Sequence, residues 1–195
     1  MGTAKEHRDI RERAIEGVML TITEKYVGVL PVDDILLERI EADHWAIVHP
    51  SWRNHPARKA FSIDFNWLRQ RNKRRDKIDV SIWCGDTLCG LFLAKLSRKR
   101  INVALRFLES NPHEHPSAGY MIPIGLDIAE SFARQYGARD VMVSRPAKDL
   151  VPLYREWGYE LDAADLSREK RNCRTRAKVL IKTMNVQSRV FNEQS

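Results

Sequence analysis

Side chains that can move protons are concentrated in the second half of the chain. Glu109 follows an apolar segment, His113 and His115 come shortly after it, and Tyr154 lies within the segment LYREWGY. A carboxylate or an imidazole can accept a proton near neutral pH, and a phenol can donate one. The competing interpretations are a solvated charge for Glu109, solvated loop residues for the two histidines and a core aromatic for Tyr154. The four residues are therefore candidates for acid–base chemistry if the fold brings them together.

Residues 101–161 contain the elements that must position these side chains. Residues 103–108 follow a strand pattern, in which alternate side chains lie on opposite faces, and both faces are largely apolar. This pattern predicts a central strand. After a loop, apolar residues four positions apart predict a helix that ends at Gly137. A short buried strand over 141–143 and a second helix over 147–156 follow. Because a crossover connection joins the two strands, we expect them to be parallel neighbours.

Two segments of this unit resemble the GNAT superfamily of N-acetyltransferases, which transfer acyl groups from acyl-coenzyme A to amines. Residues 153–159 (LYREWGY) are similar to the LYxxxGF ending of the family's last conserved helix. Residues 129–138 (AESFARQYGA) are similar to the helix that follows its coenzyme loop. With the flanking strands, the resemblance covers residues 78–184. It implies an α/β fold with a GNAT-like mixed central sheet flanked by helices, and an N-terminal helical extension.

The resemblance also implies a co-substrate and the residues that bind it. Acetyl-coenzyme A would bind with its pantetheine arm paired to the backbone of residues 105–108, which include Phe107 and Leu108. Tyr154 matches the tyrosine that protonates the leaving sulfur, and Glu109 is a more natural base than the loop histidines. The pyrophosphate would lie in the loop before the helix, which contains Ser117, Ala118, Gly119, Tyr120 and Met121.

The coenzyme loop departs from the family's usual pattern, [Q/R]-x-x-G-x-[G/A]. Residues 115–120 (HPSAGY) keep one glycine with small neighbours but lack the leading Gln or Arg and the second small residue. Pyrophosphate is held best by backbone N–H groups at a helix N-terminus that small residues leave accessible. The chain is therefore identified as a divergent member with a degraded pyrophosphate loop. The alternative is a plain strand-to-helix connection.

Positive charge is clustered along the chain. The formal net charge is +7, and basic residues concentrate near 69–77, 95–100 and 168–178. Phosphate-rich partners bind through such patches, and solvated surface explains them equally well. The first cluster belongs to a basic amphipathic helix predicted over 64–75, which the resemblance would place beside the acceptor site. Its candidate contacts to a nucleic acid or an acidic acceptor are Arg69, Arg71, Lys73, Arg74 and Arg75.

Composition excludes several classes of protein. The sequence has 195 residues, of which 43% are hydrophobic, so a single α/β domain with a real core is expected. No apolar run approaches the ~20 residues of a membrane-spanning helix, and the charged first residues are unlike a secretory signal. Cys84, Cys89 and Cys173 lack the spacing of a zinc site, so we expect free thiols in a reducing cytoplasm and no bound metal.

The remaining segments complete the prediction. Residues 44–56 are rich in Trp, His and Pro, which predicts an irregular segment that acts as a packed connector or as part of an acceptor pocket. The other expected elements are a helix over 4–26, a short helix over 35–42, antiparallel strands over 78–83 and 88–96, a charged loop over 163–174 and a last strand over 177–184. Residues 1–60 are thus assigned to a helical extension and connector, 61–184 to the acyltransferase-like core and 185–195 to a tail.

The function predicted from the sequence is transfer of an acyl group, expected to be acetyl, from coenzyme A to an amine. That amine would belong to a small molecule, a protein or a nucleic acid. The alternative is a GNAT-derived module without catalysis, which binds nucleic acid or a protein partner through its basic surface. The altered loop favours the second hypothesis, whereas Tyr154 in its motif favours the first.

Overall fold

A mixed β-sheet forms the centre of the fold. The structure is a computed structural model, and it describes residues 3–58, 66–67 and 77–184. Seven strands lie in the order β1-β2-β3-β4-β5-β7-β6. All neighbouring strands are antiparallel except β4 and β5, which are parallel as expected for a crossover connection. The strands are β1 (Ile35–Glu38), β2 (Lys77–Cys84), β3 (Thr87–Leu96), β4 (Asn102–Ser110), β5 (Asp140–Ser144), β6 (Glu160–Leu161) and β7 (Val179–Thr183).

Helices cover both faces of the sheet. They are α1 (Ala4–Tyr26), α2 (Ala42–Ile47), α3 (Met121–Tyr136), α4 (Val151–Glu156) and α5 (Ala163–Lys170). The predicted α/β fold with a helix at its N-terminal end is therefore confirmed. The predicted C-terminal end of α3 is also confirmed, because Gly137 adopts the left-handed conformation (φ 66°) that glycine accepts without strain.

α1 and α3 pack side by side on one face of the sheet. The buried stripe of α1 is Ile10, Ala14, Val18, Ile22 and Tyr26, at the helical spacing that the sequence predicted. The hydroxyl of Ser131 on α3 donates a hydrogen bond of 2.8 Å to the carbonyl of Ala14. Arg11 reaches across to Asp79 on β2. α1 is thus part of the main core and not a peripheral appendage.

Two buried carboxylates fix α3 against its neighbours. Asp127 accepts a 2.8 Å hydrogen bond from the Tyr26 hydroxyl and pairs with Lys25. Glu130 pairs with Lys182 at 2.8 Å and accepts a hydrogen bond from Tyr159 at 3.2 Å. Buried charges need such partners, because an unpaired carboxylate in the core would be strongly destabilising. α3 is therefore held in one position relative to the sheet.

A second apolar cluster lies on the opposite face, under α2 and the π-helical turn Val48–Trp52. Trp52 and Trp67 are almost fully buried there, against Leu91 and Leu93 of β3. Trp45 is only partly buried. The predicted packing role of the Trp-rich segment is confirmed for Trp52. Residues 44–52 are helical, and the irregular structure predicted for the whole segment is present only at 53–56.

Two further predictions of secondary structure were wrong. Residues 35–42 were expected to be helical, but β1 occupies 35–38 and pairs with β2, with Ile35 and Leu37 buried and Leu36 exposed. Apolar residues in a short run fit a helix and a strand equally well, and pairing with β2 decides for the strand. Residues 163–174 were expected to be a loop. α5 forms there because the Asp162 side chain accepts a hydrogen bond from the backbone N–H of Asp165 (2.8 Å).

The extension predicted for residues 1–60 contains β1, which is a strand of the central sheet. The basic helix predicted over 64–75 and the tail over 185–195 lie outside the described residues, apart from 66 and 67.

Candidate active site

The two parallel strands β4 and β5 separate halfway along their length. They pair at four positions only, from Asn102 with Asp140 to Leu105 with Val143. Arg106 is an extra residue in β4, because Leu105 pairs with Ala94 of β3 while Phe107 already pairs with Leu93. Such a β-bulge bends its strand and raises the local twist. Beyond the bulge, the rest of β4 has no partner in β5, and a gap opens in the sheet.

A cleft of about 490 Å³ occupies this gap. Its walls are residues 105–111 of β4 and the following turn, and residues 143–147 at the end of β5. Met121, Leu150 and Tyr154 line it on the α3 side of the sheet, and Trp52, Ala57 and Arg58 line it on the α2 side. The cleft therefore connects the two faces of the sheet, so two molecules entering from opposite sides would meet in it.

Tyr154 lies in the wall of this cleft. It is the buried residue of the short helix α4 and is 5% exposed. Burial raises the pKa of its hydroxyl to about 12, because the phenolate would lose its hydration in this position. At neutral pH the group is a protonated phenol, which is the form that can donate a proton. Tyr154 thus lines the cleft as a phenol, and its role as the catalytic acid stays a prediction.

Glu109 also lines the cleft, but its carboxylate is engaged by several donors. Trp67 donates its indole N–H to Oε2 at 2.6 Å, and Arg53 contacts both oxygens at 3.2 and 3.3 Å. Arg58 lies 3.9 Å from Oε1. Glu109 is 8% exposed, so these are buried, charge-assisted contacts. The predicted strand-end carboxylate is therefore part of an ion-pair cluster and not a solvated charge.

The partners of Glu109 are functional candidates that the sequence did not single out individually. Arg53 and Arg58 lie in or just after the Trp-, His- and Pro-rich segment 44–56. The sequence analysis offered one signal for these two arginines, namely the interpretation of that segment as part of an acceptor pocket. Nothing in the local sequence links it to Glu109, more than fifty positions later in the chain.

Solved structures with a similar fold are known. N-acetylglutamate synthase from Neisseria gonorrhoeae, solved with coenzyme A and L-arginine, aligns at a TM-score of 0.51 and 13% identity over 77% of this chain and 33% of the synthase. This chain thus spans about a third of that protein's length. Ribosomal-protein-S18-alanine N-acetyltransferase from Escherichia coli aligns at a TM-score of 0.51 and 8% identity, over 83% of this chain and 99% of that enzyme.

The fold is that of the GNAT superfamily. An uncharacterised protein from Bacillus halodurans shares it, at a TM-score of 0.52 and 12% identity over 78% of this chain and 85% of that protein. No protein-family model and no curated protein sequence matches the chain. The likeness is thus one of fold, visible in the arrangement of the strands and helices.

Phe107, Leu108 and Met121 of the predicted GNAT coenzyme site line the cleft. Leu108 faces α3, where Gly125 lets the two elements approach closely: a Cβ atom at Gly125 would lie 3.0 Å from the Leu108 side chain. Phe107 faces the opposite side and packs with the second apolar cluster. Because successive side chains of a strand alternate between its faces, Phe107 and Leu108 reach opposite sides of the sheet where the cleft opens.

The rest of the predicted pyrophosphate loop, residues 117–120, does not line the cleft. Ser117 is fully buried near Cys84 and Cys89, and its hydroxyl has no hydrogen-bond partner among the described residues. Burial raises the pKa values of the two thiols. The Tyr120 ring packs edge-on against Tyr26 of α1, with 5.7 Å between centroids. Gly119 has a φ of 83° and open space beside its Cα. Of these residues, the serine and the tyrosine point into the protein.

The two loop histidines, considered as alternative bases, lie beside the cleft and not in its lining. His113 is within 2.8 Å of the Ser51 hydroxyl, and its ring packs against His55. His115 is 7% exposed and contacts the Ser110 hydroxyl at 3.3 Å. Burial lowers the pKa of His115, so the ring is neutral at physiological pH. Both histidines connect the loop to neighbouring segments.

The candidate nucleic-acid contacts Arg69, Arg71, Lys73, Arg74 and Arg75 lie outside the described residues. Within residues 3–58, 66–67 and 77–184, no group of three or more His, Cys, Asp or Glu side chains is arranged to hold a metal ion. In the same part of the chain, no helix has the length and apolar character needed to cross a membrane.

Proposed function

We propose that the protein is an acyl-coenzyme A-dependent N-acyltransferase that acetylates an amine. The observation that carries this proposal is the protonated phenol of Tyr154 in the wall of a cleft that connects both faces of a GNAT-type sheet. Acyl transfer to an amine needs a proton donor for the leaving sulfur and separate access for two substrates. The site supplies both.

The residues of the cleft fit the pantetheine arm of coenzyme A. Leu105, Leu108 and Met121 offer apolar contacts. Beyond Leu105, β5 no longer pairs with β4, so the backbone groups of residues 106–108 face the gap in the sheet. Backbone amides on such a strand edge pair readily with the amides of an extended ligand.

Fewer groups of the protein are suited to bind the pyrophosphate of coenzyme A than its pantetheine arm. α3 begins at Met121, and Met121 and Ile122 both line the cleft with their backbone at the positive end of the helix dipole. Pro123 has no N–H group, so the first turn of α3 offers fewer donors than usual. The open space beside Gly119 leaves room for a phosphate to approach. We therefore assign phosphate binding to Gly119, Met121 and Ile122, and not to Ser117.

The chemistry follows from this placement. The amine nitrogen forms a bond with the thioester carbonyl carbon, and the carbon–sulfur bond breaks. Tyr154 gives its proton to the departing sulfur and regains one from solvent, while the attacking nitrogen loses one of its own protons. Acetyl-coenzyme A and the amine thus yield the amide and the free thiol without net proton uptake. In this proposal Glu109 positions Arg53 and Arg58 on the acceptor side.

Calorimetric titration with acetyl-coenzyme A, combined with Tyr154→Phe, tests the proposal. We expect micromolar binding to both proteins, and a thiol-release rate that falls about 100-fold in the variant, since general acid catalysis contributes roughly that much or more. Equal rates would remove Tyr154 from the mechanism.

A second candidate function is a non-catalytic module of GNAT fold that binds nucleic acid or a protein partner. It is favoured by the inward direction of Ser117 and Tyr120 and by the net charge of +7. No heat of binding with millimolar acetyl-coenzyme A would support this function and reject acyl transfer.

A further inference from the structure

Two exposed arginines line the cleft from opposite walls. Arg106 is the bulge residue of β4, and Arg145 directly follows β5. Within the described part of the chain, the guanidinium of Arg106 hydrogen-bonds only to the hydroxyl of Ser144, at 3.3 Å, and that of Arg145 has neither a hydrogen bond nor an ion pair. Both groups therefore offer N–H donors to a molecule that enters the cleft.

The lining of the cleft carries more positive than negative charge. Glu109 is the one carboxylate among its described lining residues, and it already contacts Arg53 and Arg58. The charges of Arg106 and Arg145 thus have no counterion there. Water screens such charges less in a cleft than on an open surface, so an anionic group of a ligand would be attracted to them.

The guanidinium of Arg106 lies on the α2 side of the sheet. Val143 of β5 points into the main core on the α3 side, and successive side chains of a strand alternate, so Ser144 points to the opposite face. Arg106 donates to Ser144 and therefore reaches the same face. The coenzyme phosphates are assigned to the start of α3, on the other side. Arg106 is thus better placed for an anion of the acceptor than for a phosphate of the coenzyme.

The backbone of Arg145 indicates that its side chain has a function. Its φ is 54°, in the left-handed region that glycine adopts easily and other residues seldom adopt. Its N–H donates a 2.8 Å hydrogen bond to the carbonyl of Lys178, and Pro146 follows, so the chain is fixed at this position. Strain of this kind in a residue other than glycine is concentrated at ligand sites. Glycine would suit the backbone better, so the presence of arginine indicates a role for the guanidinium.

We propose that Arg106 and Arg145 bind a carboxylate or phosphate group of the acceptor, which is thus a small amine with an anionic group. This inference rests on the proposed function and specifies its substrate class. A guanidinium presents its N–H donors in a planar fork that matches the oxygens of either anion. Tyr154 lines the same cleft, whose volume of about 490 Å³ is typical of a small-molecule site. One small molecule can therefore contact the arginines with its anion and the thioester with its amine.

The test compares amines that differ in their anionic group. Each common L-amino acid is paired with its amide, and O-phosphoethanolamine with ethanolamine, in a thiol-release assay with acetyl-coenzyme A. For at least one pair, we expect kcat/KM of the anionic member to exceed that of the neutral member by about 10- to 100-fold, the usual effect of a charged hydrogen bond. The amino acid and phosphate pairs show which anion is recognised.

Arg106→Gln and Arg145→Gly identify the residues responsible. We expect each variant to lower the preference for the anionic member by about tenfold or more, mainly through a higher KM. Any difference in basicity within a pair is the same for all variants and cancels in this comparison. A purely structural role would instead lower the rates of both members equally.

The matched control is Arg134→Gln, which removes an exposed arginine of α3 outside the cleft lining and should preserve the preference. Arg145→Gly has a further advantage as a variant. Glycine relieves the left-handed strain, which offsets its greater freedom in the unfolded chain, so stability in urea denaturation should change little. A lost preference in this variant would then not result from unfolding.

Titration with acetyl-coenzyme A distinguishes an error in the acceptor class from an error in the proposed function. We expect both variants to bind it as tightly as the native protein. A Kd that rises about tenfold or more in either variant would assign that arginine to the coenzyme phosphates and overturn the inference. Equal rates within every pair, or transfer to none of these amines by a protein that binds acetyl-coenzyme A, would also overturn it.

If the native protein does not bind acetyl-coenzyme A, acyl transfer itself is rejected. The anion site is then judged by ligand-observed NMR with the same pairs of amines. Binding of the anionic members that Arg106→Gln abolishes supports the site, and absence of binding rejects it.

Discussion

The carboxylate of Glu109 neutralises two arginines in a nearly dry environment. A substitution of Glu109 will therefore change the stability of the protein as well as any activity. We expect Glu109→Gln to lower the free energy of unfolding by about 3 kcal/mol, because removing one partner of a buried ion pair leaves the other charge uncompensated. Urea denaturation monitored by circular dichroism measures this effect.

Glu114→Gln is the matched control for this substitution, because Glu114 is exposed on the loop that follows β4 and should change stability little. If Glu109→Gln were as stable as the native protein but inactive, the carboxylate would act as a base, as the sequence suggested, and not as a positioning residue.

The raised pKa of Tyr154 makes a separate prediction about pH. A phenol with a pKa of about 12 stays protonated throughout the range in which the protein can be assayed. The ratio of the native rate to the Tyr154→Phe rate should therefore be constant from about pH 7 to pH 10, the pKa of an unperturbed tyrosine. Stopped-flow thiol release across this range provides the measurement. A ratio that falls with a midpoint near pH 10 would mean that the hydroxyl is solvated.

At the scale of elements, the packing of α1 on α3 allows a paired test. Ile22 is fully buried in this contact, whereas Leu20, on the same helix, is 67% exposed. We expect Ile22→Ala to lower the free energy of unfolding by about 2–4 kcal/mol, through lost burial and the cavity left behind. Leu20→Ala should change it by less than about 0.5 kcal/mol. Equal effects in chemical denaturation would show that α1 does not belong to the cooperative core.

The sequence predicted the elements whose patterns are long and regular, such as α1, β4 and α3. It failed for β1 and α5, because a strand of four residues and a helix of eight, half of them charged, carry little periodic signal. For the site, the motif around Tyr154 singled out a residue that lines the cleft, and its role as the acid stays a prediction. The partners of Glu109 and the inward direction of Ser117 depend on contacts between distant segments, which no local pattern encodes.

At the scale of the whole molecule, the net charge of +7 predicts weak attraction to nucleic acids of any sequence. If the basic residues contact phosphates, affinity for a labelled oligonucleotide should fall steeply between about 50 and 200 mM salt, as counterion release requires. Fluorescence anisotropy at several salt concentrations measures this slope. Binding that does not depend on salt, or no binding, would show that the basic residues are solvated surface only.

The distance along the chain between α1 and α3 has a consequence for biosynthesis. Tyr26 and Asp127 are separated by 101 positions, and Ala14 and Ser131 by 117. A ribosome adding about 5–20 residues per second needs roughly 5–20 s to make the intervening segment. Throughout that interval the apolar stripe of α1 has left the ribosome before the helix that covers it exists. The nascent chain therefore exposes this hydrophobic surface until α3 is made, and α1 can complete its packing only after that.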